Sequence, residues 1–120
     1  MQLDSLYQEV ILDHYKHPHH KGLLVGDIQV HHINPSCGDE VDLSLELSNN
    51  KVESLIWSGA GCSISQASTS MMVELVKGQE LSVGFRLQEI FSNLMHAQGK
   101  DVQDQDELGD AVAFQGVAQF

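Results

Sequence analysis

The stretch that most constrains this chain is VDLSLELSNNKVESLIW, residues 41–57. Val41, Leu43, Leu45 and Leu47 alternate with polar residues, the period of a strand with one buried face. Ser48-Asn49-Asn50-Lys51 supplies turn chemistry, and Val52 to Trp57 returns as the next strand. An antiparallel hairpin therefore closes at residues 48–51 and brings its two outer flanks to one end of a sheet. Ile28 to Ile33 reads as a strand preceding the pair.

Helices are expected on either side. Residues 5–15 form an amphipathic segment with Asp4 as N-cap and Leu6, Tyr7, Val10, Ile11 and Tyr15 on one face, ended by Pro18. Gly59 and Gly61 suit a sharp strand-to-helix turn, after which Ser63 or Ser65 would cap a helix. Its apolar stripe is Ala67, Met71, Met72, Leu75 and Val76, and Gly78 is its stop. Ser82 would cap another, with Leu87, Ile90, Phe91, Leu94 and Met95 facing inward. Residues 99–110, GKDVQDQDELGD, are acidic and aperiodic and read as a solvated loop before the apolar tail AVAFQGVAQF.

The 120 residues, 42% of them hydrophobic, suit one globular domain, 1–120, with a modest core. With 17 acidic and 6 basic side chains the formal charge is −11, which repels phosphate backbones and argues against a nucleic-acid partner. No apolar run approaches the roughly 18 residues of a membrane span. The N-terminal MQLDSLYQEV has no basic segment of a secretory signal. Two cysteines without such a signal point to a reducing, cytoplasmic setting.

Cys37 and Asp39, in NPSCGDE, lie on the loop entering the strand at 41; Cys62 lies on the glycine-flanked turn leaving the strand that ends at Trp57. Closing the hairpin brings these flanks together, with several ångströms of slack from the loops. Thiolates bind zinc or iron strongly, and a carboxylate is an acceptable but more labile third ligand. The start of a helix carries partial positive charge, which suits an anionic sulfur at Cys62. The same two cysteines also fit unrelated buried thiols, and neither C-x-D nor G-x-G-C is specific alone. His14, His17, His19 and His20, with His31 and His32 further on, read as metal ligands or as a solvated helix end. His14, on the apolar side of its helix, also fits a satisfied core histidine. Met71 and Met72 read as core packing.

In chain order, YQEVILDHYKHPHHKG (7–22), INPSCGDEV (33–41), GAGCSISQASTSMM (59–72) and LGDAVAFQGV (108–117) resemble the SufU type of IscU-like iron–sulfur cluster assembly protein, similar to the NifU N-terminal domain. The acidic segment ending in LGD favours the SufU branch over the scaffold-type IscU branch. The resemblance implies an α/β (α+β) domain: a three-stranded antiparallel sheet with helices packed on one face. It implies a surface zinc site at Cys37, Asp39 and Cys62, with Cys37 as the catalytic persulfide acceptor. The implied partners are a SufS-type cysteine desulfurase and the downstream iron–sulfur assembly machinery.

The family continues past the equivalent of Phe120 into a third cysteine and a long helix. On that comparison the chain is expected to lack the C-terminal helix. The metal site would then be open or weaker, with water, a histidine or another molecule completing it, and an uncovered apolar patch would favour homo-oligomers. Three functions follow: a zinc-dependent sulfurtransferase taking persulfide sulfur from the desulfurase; a scaffold for a transient [2Fe–2S] cluster on the same residues; or a metal-free interaction module with incidental cysteines.

Overall fold

Asn49 and Asn50, the central residues of the hairpin turn, both take positive φ (50° and 63°), the left-handed pair that a type I′ turn demands and asparagine tolerates. They join β2 (Asp39–Ser48) to β3 (Lys51–Ala60), and β1 (Ile28–Asn34) pairs with the other edge of β2. The sheet is antiparallel throughout, in the order β1-β2-β3. The computed structural model describes residues 5–35 and 38–118.

In register, Leu43 lies between Val30 and Trp57, and Leu45 between Ile28 and Leu55, so one face of all three strands is apolar. The expected alternation along β2 holds in part. Val41, Leu43 and Leu45 are half-buried, but a register shift between Glu46 and Leu47 leaves Leu47 exposed. Ser44, on the opposite face, is fully buried, because the segment leading into β1 crosses that face and the Gly26 N–H donates to Ser44 Oγ. Before that crossing, residues 19–22 run along the outer edge of β3. Trp57 N–H donates to His20 O (3.0 Å), Gly22 N–H to Trp57 O (2.9 Å), and Trp57 Nε1 to His19 O (2.8 Å).

The helices are α1 (Ser5–Lys16), α2 (Ser63–Val76), α3 (Leu81–His96) and α4 (Phe114–Val117), the last preceded by 3₁₀ turns over Gln105–Ala113 that kink at Gly109. α2 lies between two cores. Val73 packs with Val52, Leu55 and Trp57 of the sheet, while Ala67 and Met71 pack with Ile11, Leu87, Leu94 and Phe114 of the helical layer. Between α2 and β2, Leu43, Leu45, Met72, Val76 and Leu81 help wall an open apolar cavity of about 400 Å³. No described helix is long and apolar enough to cross a membrane.

Several local expectations need correcting. The buried side of α1 is Tyr7, Val10, Ile11 and His14; Leu6 and Tyr15 are exposed, and the Asp4 cap lies outside the described residues. Neither Ser63 nor Ser65 caps α2, since Cys62 does. Ser82 lies within α3, whose N-cap is Glu80, with no side-chain bond. The acidic segment is no solvated loop. Leu108 is fully buried, and the charge that disguised it lies outward, where Arg86 bonds Glu107 (2.6 Å) and Asp104 (3.1 Å). Gly78 does stop α2 at φ +82°, and the apolar tail is buried at Ala111, Ala113 and Phe114.

Candidate metal centre

The last pair of the β2–β3 ladder is Glu40 with Ala60, so Asp39 at the start of β2 stands beside Gly61 and Cys62 at the exit of β3. Asp39 Oδ1 accepts a hydrogen bond from the Cys62 N–H at 3.2 Å. This approach needs glycine at 61. A Cβ there would lie 2.9 Å from Asp39 Cγ and 3.2 Å from Asp39 Cβ, and closer still to Oδ1. Gly59 is required for the ladder itself, where a Cβ would collide with the Glu40 carbonyl.

Cys62 is an exposed free thiol. It has extended backbone (φ −70°, ψ 166°), and its Sγ accepts from the Ser65 N–H at 3.5 Å, in the geometry of an N-cap. The sulfur therefore sits at the positive end of a 14-residue helix, facing an N–H that would otherwise lack a partner. That position is unlike the buried core thiol that a lone cysteine often makes. Asp39 and Cys62 thus offer a carboxylate and a thiol side by side, donor types that zinc accepts.

Cys37 lies outside the described residues. Asn34 and Asp39 pair across β1 and β2, and Gly38 N–H donates to Asn34 O at 2.8 Å. Among the described residues, no group of three or more His, Cys, Asp and Glu side chains is arranged to hold a metal. The histidines accordingly do not complete a site with Asp39 and Cys62.

Four of them, His14, His19, His20 and His31, have other partners. His14 is buried, with Nδ1 2.8 Å from Ser70 Oγ and Nε2 3.0 Å from Asp110 Oδ2. Ser70 Oγ also accepts from the His19 N–H at 2.7 Å. His19 and His20 both contact Glu74 (3.3 Å and 2.5 Å), and the His20 hydrogen bond leads in holding the Glu74 carboxyl below its ordinary range. His31 pairs with Asp42 across the strands. Away from the site, Arg86 likewise lowers the Glu107 carboxyl.

Two residues that brace the turn carried no sequence signal. Lys21 Nζ lies 5.0 Å over the Trp57 ring and donates to Gln66 Oε1 at 2.9 Å, and Gln66 Nε2 donates to Gly59 O at 3.5 Å. The two Lys21 contacts join residues far apart in the chain, which no local pattern announces.

An antiparallel three-stranded sheet with helices, carrying an exposed thiol and a carboxylate at one end, defines a class of small α+β proteins. The NifU-like N-terminal domain family matches residues 6–120, and the chain belongs to it. The zinc-dependent sulfurtransferase SufU of Bacillus subtilis is 46% identical over 118 residues, covering 98% of this chain and 79% of that protein. The iron–sulfur cluster assembly scaffold protein IscU of Streptococcus pyogenes is 41% identical over 119 residues, covering 99% and 74%. The crystal structure of FiSufU from Fervidobacterium islandicum AW-1 superposes with a TM-score of 0.80 at 31% identity, covering 97% of this chain and 84% of that one.

Proposed function

We propose that this protein is a zinc-dependent sulfur acceptor of iron–sulfur cluster assembly, taking persulfide sulfur from a SufS-type cysteine desulfurase in the cytoplasm. The observation that carries the proposal is the Asp39 carboxylate on the Cys62 amide beside an exposed thiol, in a chain 46% identical to a zinc-dependent sulfurtransferase. Cys37, Asp39 and Cys62 are the proposed zinc ligands. When bound, zinc keeps the thiols deprotonated and shields them from oxidation.

Cys37 is the proposed acceptor. Its thiolate attacks the terminal sulfur of the desulfurase persulfide; a sulfur–sulfur bond forms on Cys37 as the one on the desulfurase breaks, and the desulfurase cysteine leaves as thiolate. The exchange has no net redox change: one thiolate enters and one thiolate leaves, so no proton is transferred in the step. Asp39, two residues beyond Cys37 in the sequence, is held by the Cys62 N–H.

The test is zinc and iron per chain in protein purified without added metal, followed by sulfur transfer from desulfurase and cysteine in iron-free buffer. Near-stoichiometric zinc and transfer lost in Cys37→Ala are expected. Transfer intact in Cys37→Ala would show that another group is the acceptor. A second reading, a scaffold for a transient [2Fe–2S] cluster, is favoured by the 41% identity to the streptococcal scaffold protein. Cluster build-up that needs iron, with no iron-free sulfur transfer, would select it.

A further inference from the structure

We infer that Gly61 is a positioning residue for Asp39: by lacking a side chain it gives the carboxylate a resting place on the Cys62 amide, and so sets how readily Asp39 leaves a metal. The inference deepens the zinc reading above and, for its metal arm, rests on it.

Three observations converge. Asp39 Oδ1 accepts from the Cys62 N–H at 3.2 Å. The space over Gly61 is filled by Asp39 itself, its Cγ and Cβ lying 2.9 and 3.2 Å from where a methyl would stand. The turn cannot easily yield to make room: Gly59 is packed against the Glu40 carbonyl, Cys62 is tied into the first turn of α2 through Ser65, and Gln66 reaches back to Gly59. A side chain at 61 would therefore displace the carboxylate, not the backbone.

The chemistry follows. A carboxylate that leaves a metal needs new donors from water, whereas one that can turn to a backbone N–H exchanges one charge-assisted bond for another already in place. Gly61 thus lowers the cost of the detached state of Asp39. Removing that resting place makes detachment harder and slows metal release.

The experiment compares wild type, Gly61→Ala, Asp39→Ala and the double variant by two readouts. The first, in metal-free protein, is hydrogen exchange of the Cys62 amide followed by NMR. Gly61→Ala and Asp39→Ala should each speed it about tenfold, the scale of one hydrogen bond to a charged group, with no further gain in the double variant. The second is zinc release to a chromogenic chelator, which should slow several-fold in Gly61→Ala but not when Ala is added at 61 to Asp39→Ala. Unchanged amide exchange, faster zinc release, or the same effect of Gly61→Ala in the Asp39→Ala background would each overturn the inference. If Gly61→Ala does not fold, Asp39→Ala alone decides: unchanged exchange at the Cys62 amide overturns it. If wild type holds no zinc, the zinc reading has failed, and the amide exchange still decides the role of Gly61.

Discussion

Replacing Ser70 by alanine removes one oxygen from the centre of the helical layer and strands two partners. Ser70 is fully buried, and its Oγ contacts His14 Nδ1 at 2.8 Å and the His19 N–H at 2.7 Å. His14 is 2% exposed, so its ring nitrogen has no route to bulk water when Ser70 is shortened. An unsatisfied buried polar atom costs about 1–3 kcal/mol. The His19 amide is half-buried, and losing its bond adds about 0.5–1 kcal/mol after discounting for solvent access. Ser70→Ala is therefore expected to destabilise the fold by about 1.5–4 kcal/mol, a large share of a typical domain's roughly 5–15 kcal/mol. Urea unfolding should show a lower midpoint with an unchanged m-value. Ser82→Ala, at an exposed helical position, should stay within about 0.5 kcal/mol. A loss below about 0.5 kcal/mol for Ser70→Ala would falsify the reasoning, since it would mean that His14 and His19 find other partners at no cost.

Other outcomes follow from the same contacts. Cys62→Ala should lower zinc retention sharply while costing little stability, because the exposed sulfur contributes one weak cap bond; metal analysis alongside urea unfolding separates the two effects. Asp39→Ala should change zinc retention without affecting the helical core, and release to a chelator measures it. The lowered Glu74 carboxyl makes a contribution present above the ordinary value of 4.5 and lost as pH falls through its depressed folded value. Glu74→Gln should therefore flatten the acid limb of a stability–pH curve while leaving its alkaline side unaltered; an unchanged acid limb would count against the His20 contact. The open cavity beside α2 should bind a fluorescent apolar dye, and Met72→Glu, on its wall, should abolish the signal. Equal fluorescence in both proteins would place the dye elsewhere.

Much of the sheet was legible because period-2 alternation and an Asn-Asn turn are local signals. The readings that failed did so where tertiary packing overrode them. The acidic 99–110 segment carries its charge on one side and buries Leu108 on the other, a division that short 3₁₀ turns kinked at Gly109 do not display at helical period. Ser44 looked like a solvent-facing residue of β2, and only the passage of Gly26 across that face buries it. The serines after Cys62 were natural cap candidates, and the cysteine took the position instead.

The meeting of Asp39 with Cys62 was legible for a topological reason. In an antiparallel meander every second connection falls at the same end of the sheet, so closing one hairpin at Asn49-Asn50 puts the β1–β2 loop and the β3–α2 turn together at the other end. No property of the cysteines enters that argument, which is why strand parity alone found the pair. Topology brings the flanks only to within several ångströms, however, and the 3.2 Å contact comes from elsewhere. It comes from two residues without side chains, Gly59 keeping the ladder closed to its end and Gly61 clearing the space that the carboxylate occupies. The coarse position of the site is thus a consequence of connectivity, and its fine geometry a consequence of atoms that are missing, which a search for ligating side chains does not see.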